Sequence, residues 1–237
     1  MMETKNTEHR LLAISLRTLD WTEGDHVWFD ARLAPEATII VEWGDGKHST
    51  LRPDLHGCSR VEHYYKCKGQ QYQIEFLSDE PESLLELVDG TWETRVDHVF
   101  IENCPSLRLL QYCGVAKFDL SGCANLEALD CESYGGEALD LSSLKNLQML
   151  RLHSVKNMTA INLNQNPKLE VLDLGFSKIK KVAIPNNSNL KQLCWEETYL
   201  DKHSREWFQK VIEKNNVEVV DFISEFIMSI GVFRGKL

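Results

Sequence analysis

The second half of the chain repeats one pattern of apolar and polar positions. In each copy, here called a frame, an apolar residue is followed by two variable positions, an apolar residue, one variable position and a third apolar residue. One series of frames starts, at intervals of 19, 21, 22 and 21 residues, at Leu107, Leu126, Leu147, Leu169 and Leu190. A second series alternates with it at the same intervals and starts at Val96, Val115, Gly136, Met158 and Ile179. Such a period predicts a solenoid, in which each turn buries its apolar face against its neighbours.

The last two apolar positions of each frame are two residues apart, which is the period of a β-strand. We therefore expect the first series to form a parallel sheet on the concave face, and the second to form short strands or extended turns on the opposite wall. Only one of the 13 asparagines, Asn6, precedes residue 103, and seven of the others lie in the predicted corners, just before a frame leucine. Asparagine side chains bond backbone groups in turns, so we expect them to link neighbouring coils.

Two segments of this strip carry a family resemblance. Residues 118–131 read FDLSGCANLEALDC and residues 166–174 read NPKLEVLDL. Residues 96–200 thus resemble the leucine-rich-repeat family, in particular its short Bacteroidetes-type repeats. The resemblance implies a right-handed solenoid of parallel strands that acts in recognition. At residues 134–136 glycine replaces the first apolar residue of a frame, which predicts a local irregularity.

Residues 201–237 are predicted to cap the solenoid at its C-terminal end. Residues 201–215 have helical spacing, with Trp207, Phe208, Val211 and Ile212 on one side. Asp201 or Ser204 could cap the start of this helix. A strand over residues 217–222 is expected to follow, and the apolar-rich residues 217–233 are interpreted as a docked terminal element.

The first eighty residues show short alternating runs separated by turn residues, which predicts a small β-sandwich. The turn Trp43-Gly44-Asp45-Gly46 and the later His63-Tyr64-Tyr65, Gly69 and Tyr72 resemble the PKD domain, an immunoglobulin-like sandwich. Pro81 marks a boundary, and residues 84–88 with Trp92 are expected to form a junction helix or turn. The complete prediction is a mixed β/α fold: a PKD-like β-sandwich over residues 1–80, a leucine-rich-repeat solenoid over 81–200, and a C-terminal helix cap over 201–237.

Composition narrows the classes of partner and compartment. The formal net charge is −10, so the chain lacks the basic surface of a nucleic-acid binder. No apolar run reaches the roughly 18 residues of a transmembrane span, and no signal peptide precedes the first element. The odd count of seven cysteines favours a reducing, cytoplasmic setting. Both resembled families, in contrast, imply the cell surface or secretion, and the compartment stays open.

Two sets of residues are candidates for chemistry. The first set, His56, Cys58, His63 and Cys67, has metal-type ligands but lacks the paired C-x2-C spacing of structural zinc sites. The second set combines Cys113 with His153 and Asp130 or Asp173, yet these residues lie on different coils. We therefore predict no catalytic residue, no metal, no cofactor and no enzymatic activity.

The predicted site is the concave face, to which the variable positions of the first series point. The third positions of the frames form one row, Leu109, Ala128, Met149, Val171 and Gln192. The fifth positions form a second row, Gln111, Asp130, Arg151, Asp173 and Cys194. Exposed apolar rows are typical of partner surfaces. The residues predicted to bind a partner are Leu109, Gln111, Asp130, Glu132, Met149, Arg151, His153, Val171, Asp173 and Phe176.

The leading hypothesis is a non-catalytic interaction module that binds a protein partner through this face, with a glycan as a second possibility. The alternative is a carbohydrate-binding accessory protein at the cell surface. A thiol or zinc-dependent enzyme is a more remote alternative, because it needs one of the two candidate sets to converge.

Overall fold

A computed structural model describes residues 9–18, 25–90, 95–185 and 189–220. This part of the chain is mostly β, with a β-solenoid of about five parallel turns and one α-helix near its C-terminal end. The chain divides into two compact units. The first comprises residues 1–107 and 119–123, and the second comprises residues 108–118 and 124–237.

The described residues of the first unit form eight strands in two groups. They are β1 (His9–Arg17), β2 (Asp25–Leu33), β3 (Ile39–Glu42), β4 (His48–Leu51), β5 (Cys58–Tyr65), β6 (Gln71–Ser78), β7 (Leu84–Asp89) and β8 (Arg95–Ile101). One group is antiparallel in the order β8-β1-β6-β3-β4. The other is antiparallel in the order β7-β2-β5.

Aromatic side chains connect the two strand groups of the first unit. The ring of Phe29 on β2 lies 5.4 Å edge-on from that of Phe76 on β6 and 6.2 Å from that of Trp43. All three are buried. At the following turn, a Cβ on Gly44 would lie 2.6 Å from the backbone oxygen of Gln73, and φ is +76°. Only glycine fits this close backbone approach without strain.

One sequence prediction fails in the first unit. Residues 84–89 form strand β7 rather than a junction helix or turn, because the backbone pairs with β2 from Phe29 to Leu33. Trp92 lies outside the described residues. The frame that starts at Val96 is strand β8, which pairs antiparallel with β1, Ile14 opposite Val99. This frame lies in the first unit, and its assignment to a solenoid coil stays a prediction. The predicted domain limits 1–80, 81–200 and 201–237 stay predictions.

The solenoid of the second unit is built on a parallel sheet. Its strands, in the order in which they pair, are β9 (Leu109–Cys113), β11 (Ala128–Glu132), β12 (Met149–Arg151), β14 (Val171–Asp173), β16 (Gln192–Cys194) and β17 (Glu218–Val219). The second series supplies β10 (Lys117–Asp119), β13 (Ala160–Asn162) and β15 (Lys181–Ala183), of which β13 and β15 pair in parallel. No strand forms over residues 134–141, in agreement with the predicted irregularity there.

Asparagine corners connect neighbouring coils, as the sequence predicts. The buried Asn166 donates through Nδ2 to the carbonyl oxygens of Leu141 and Leu144, at 2.9 and 2.8 Å. At the exposed corners, Asn146 donates to Asn125 Oδ1 at 3.0 Å, and Asn189 donates to the carbonyl of Pro167 at the same distance.

The predicted cap contains the helix α1 (Lys202–Asn215). Asp201 is its N-cap and accepts a hydrogen bond from the amide of Ser204 at 2.8 Å. The buried Phe208 lies edge-on to Trp195, with ring centroids 5.4 Å apart. Of the predicted strand over residues 217–222, the structure has only β17, and residues 221–237 lie outside the described part. In the described ranges, no helix has the length and apolar character to cross a membrane.

Candidate functional site

The parallel sheet carries the two predicted rows in the predicted register. Third positions lie opposite third positions, from Leu109 and Ala128 through to Gln192. Fifth positions do the same from Gln111 to Cys194. Because side chains alternate between the faces of a strand, both rows lie on one face, here called the outer sheet face. The frame leucines point the other way and are buried.

A buried arginine lies between carboxylates at the centre of the fifth-position row. The guanidinium of Arg151 donates through Nη1 to Glu132 at 2.9 Å and to Asp130 at 3.3 Å, and through Nε to Asp173 at 3.4 Å. Asp130 is 2% exposed, Asp173 0% and Arg151 7%. One guanidinium therefore faces two buried carboxylates and the partly exposed carboxylate of Glu132.

Burial controls the electrostatics of this row. It raises the pKa of Asp130 to about 6, although the guanidinium of Arg151 acts in the opposite direction. It also raises the pKa of the Cys194 thiol to about 12, and the neighbouring Asp173 adds to this shift. The pKa of Arg151 is raised as well, because the attraction of Asp130 and Glu132 outweighs the effect of its burial. The row is thus an ion cluster with an excess of acidic groups.

His153 and Phe176 extend the cluster at the end of the strands. His153 Nδ1 lies 3.4 Å from Asp173 Oδ1, which also accepts the amide of Gly175 at 2.8 Å. The ring of Phe176 lies 5.2 Å from the ring of His153, at an angle of 49°. Phe176 is 40% exposed, whereas His153 is 8% exposed. Phe176 is therefore an accessible aromatic side chain beside a buried polar cluster.

The backbone after each sheet strand adopts the left-handed conformation at one fixed position. This position lies seven residues after each frame leucine and holds Gly114, Ser133, Ser154, Phe176 and Glu197, with φ between 51° and 72°. Hydrogen bonds of 2.8–3.0 Å join these turns: the amides of residues 114, 133, 154 and 176 donate to the carbonyls of residues 132, 153, 175 and 196. Bulky residues seldom adopt this conformation, so the turn that presents Phe176 is held by its neighbours.

The exposure expected for the whole face is found only in part. Phe176 is exposed, and intermediate exposure is found for Gln111, Glu132, Met149 and Val171. Leu109, Asp130, Arg151, His153 and Asp173 are buried. Alternation along a strand gives the direction of a side chain but not whether something covers it, which is why the pattern could not separate these two groups. Their role in binding a partner stays a prediction.

Sequence reasoning missed two features of the face. One is the position with the left-handed backbone. Only one of its five residues is glycine, so the residue types gave no signal, and the fixed seven-residue offset from the frame leucines was the one available indication. The other is Val220, which packs with Met149 and Val171 around the buried Cys194. The apolar pattern of residues 217–222 was the available signal for it.

Neither candidate set for chemistry comes together as a whole, although His153 of the second set lies 3.4 Å from Asp173. Cys113 on β9 and His153 after β12 are separated by β11, about two strand spacings or 10 Å. In the first unit, His63 lies 2.9 Å from Asp45 and stacks on Trp43 at 4.9 Å. Within the described ranges, no three His, Cys, Asp or Glu side chains are placed to hold a metal ion. All seven cysteines lie in the described part and none forms a disulfide.

No protein-family model matches the chain, and no curated protein matches it.

Proposed function

We propose that this protein is a non-catalytic interaction module that binds a protein partner through the outer sheet face, the concave face of a leucine-rich-repeat solenoid. In the same proposal the first unit is a PKD-like β-sandwich. The frame spacing and the parallel register support the repeat family, and the contacts of Trp43, Asp45 and His63 support the PKD-like turn.

The observation that carries the proposal is the placement of Phe176. Its aromatic side chain is 40% exposed on a turn whose backbone is fixed by hydrogen bonds on both sides of the coil. Aromatic residues are enriched among the few side chains that dominate binding energy. A backbone that is fixed before binding reduces the entropy lost on association.

The accessible side chains of the second unit define the chemistry of the partner. Met149 and Val171 offer partly exposed apolar area, and Glu132, Glu196 and Glu197 offer carboxylates. The excess of acidic groups favours a partner segment that presents lysine or arginine beside apolar side chains.

Affinity capture with matched variants tests the proposal. Immobilised wild type, Phe176→Gly and Tyr64→Ala are compared, and captured proteins are identified by mass spectrometry. Glycine keeps the left-handed backbone while removing the aromatic ring, and Tyr64 is an exposed aromatic residue of the first unit. We expect at least about a tenfold loss of the same partner with Phe176→Gly and none with Tyr64→Ala. Equal capture by wild type and Phe176→Gly overturns the proposal.

A second candidate function is glycan binding by the first unit. Tyr64 on β5 is 57% exposed and stacks on His26 of β2, with ring centroids 4.2 Å apart and planes within 3°. An exposed, rigid aromatic face of this kind suits the apolar side of a sugar ring. Glycan-array binding that is lost in Tyr64→Ala and kept in Phe176→Gly would favour this function over the first.

A further inference from the structure

The loop between β4 and β5 places one leucine entirely in solvent. Leu55 is 101% exposed, more than any other large apolar side chain among the described residues. Single exposed leucines are ordinary on protein surfaces, so this exposure alone carries no argument. Leu55 differs from such residues in two respects, the fixed backbone of its loop and the cavity beside it.

Hydrogen bonds to one residue hold the loop. Asp54 Oδ1 accepts the amides of His56 and Cys58 at 2.8 and 2.9 Å. The amide of Asp54 donates to the carbonyl of Cys58 at 2.8 Å, and its carbonyl accepts the amide of Gly57 at 3.0 Å. Leu55 thus projects from a loop whose conformation is set before any contact is made, which reduces the entropy lost on binding.

An open cavity of about 540 Å³ lies beside Leu55 in the same unit. Its apolar lining combines the buried Leu33 and Ala37 with the more accessible Pro35 and Pro53. The polar residues of the lining are all exposed, namely Glu36, Thr38, Arg52 and Asp54. Because no buried polar side chain of this lining could fix a small polar ligand, the cavity suits an apolar side chain better.

The rim of the cavity carries charges of both signs. Glu36 has φ 62°, which residues with long side chains seldom adopt, in a turn where the amide of Ala37 donates to the carbonyl of Ala34 at 3.2 Å. Arg52 belongs to the same lining. No ion pair joins Glu36 or Arg52 to another described residue. One patch therefore presents a cation and an anion that a facing surface can neutralise.

The Leu55 patch, which comprises Leu55, the cavity, Arg52 and Glu36, is complementary to itself. A two-fold dimer brings the same patch of two subunits together, so that every contact occurs twice. An apolar side chain and a cavity that lie side by side on one patch fill each other in such a dimer. A small apolar ligand would fill the cavity but leave Leu55 in water, and an unrelated protein would need both a matching cavity and a matching side chain. A second copy of this chain has both.

We propose that two copies of this chain associate through the Leu55 patch. Leu55 of each copy enters the cavity of the other, and Arg52 of each copy faces Glu36 of the other. The dimer is expected to be weak, because one leucine per copy supplies the main apolar contact and the net charge of −10 on each chain opposes association. The association does not depend on the outer sheet face, which lies in the second unit.

Analytical ultracentrifugation between about 1 and 500 μM measures this association. We expect a monomer–dimer equilibrium for wild type and at least about a tenfold higher dissociation constant for Leu55→Ser. Tyr199→Ser is the matched control, because it removes an exposed apolar side chain of the second unit and should leave the equilibrium unchanged. Urea titration verifies that each variant is folded. A wild type that stays monomeric throughout this range, or equal dissociation constants for wild type and Leu55→Ser, overturns the inference.

An exchange of charges tests the arrangement within the dimer. Arg52→Glu makes the rim acidic in both copies and Glu36→Arg makes it basic in both copies, so each variant alone should dimerise at least about tenfold more weakly than wild type. In an equimolar mixture of the two variants, both rim contacts join opposite charges, and a mixed dimer should form with about the affinity of wild type. A mixture that associates no better than either variant alone overturns the inference. Neither experiment involves another protein, so failure here leaves the proposed function to its own test.

Discussion

The amide of Phe176 donates a hydrogen bond of 2.8 Å to the carbonyl of Glu196 on the next coil. This bond holds Phe176 at φ 55°, a conformation that bulky side chains seldom adopt. The same bond recurs at Ser133, which donates to His153, and at Ser154, which donates to Gly175, both with φ near 55–60°. Stacking of the coils therefore maintains a strained position in the turns that hold Ser133, Ser154 and Phe176.

Replacing Ser154 by glycine should stabilise the second unit. Glycine adopts positive φ without steric cost, and the relief of about 1–2 kcal/mol exceeds the added entropy of the unfolded chain. We expect a net gain of about 0.5–1 kcal/mol in the free energy of unfolding, measured by urea titration. Ser143→Gly is the control, since Ser143 is a turn residue without positive φ, and it should lower stability slightly. A loss of stability in Ser154→Gly would show that the left-handed turn is not strained.

Removing the charge of Arg151 should strongly destabilise the chain. Arg151→Met leaves Asp130 and Asp173 buried without a counter-charge, and breaking such a buried cluster costs about 3–5 kcal/mol. Arg108→Met is the matched control, because Arg108 pairs with Glu127 at the surface, where ion pairs contribute about 0–1 kcal/mol. Urea titration of the three proteins measures the difference. Equal stabilities of the two variants would contradict the buried cluster.

The buried corner residue Asn166 should contribute more to the free energy of unfolding than the asparagines at exposed corners. Asn166→Asp removes the N–H groups that donate to the carbonyls of Leu141 and Leu144 and link the two coils, and it adds a buried charge. We expect a loss of about 2–4 kcal/mol in the free energy of unfolding. Asn146→Asp, at an exposed corner, should change it by less than about 1 kcal/mol. Thermal unfolding at neutral pH compares both variants with wild type, and similar effects would refute this role of Asn166.

The sequence predicts the register of the parallel sheet because the frame spacing leaves one alignment. Leu110 opposite Leu129 and Asp130 opposite Arg151 follow directly from the 19- and 21-residue intervals. The burial of Asp130 and Asp173 could not be predicted this way, since it depends on how Arg151 and the neighbouring side chains pack around them. Strand β7 could not be predicted because its conformation depends on a contact that is remote in sequence. Residues 84–89 are extended because they pair with β2, more than 50 residues earlier in the chain.

The pKa of Asp130 should make stability fall as pH rises through about 6. Burial raises the folded-state pKa to about 6, above the value of about 3.9 in an unfolded chain, so the folded state binds the proton more tightly. This stabilising contribution is complete below pH 4 and is lost as pH rises between 4 and 6. Its full size is up to about 3 kcal/mol.

Urea titrations of wild type and Asp130→Asn between pH 4 and 7.5 isolate this contribution. The pKa of Glu86 is also raised by burial, to about 7, so wild type alone would show the sum of both groups. The difference between wild type and Asp130→Asn cancels the effect of Glu86, which is present in both proteins. We expect the free energy of unfolding of wild type to fall relative to that of Asp130→Asn as pH rises through about 6. The difference between the two proteins should become constant above pH 7. A difference that stays constant across this range would mean that Asp130 ionises with an ordinary pKa, and that Arg151 fully offsets its burial.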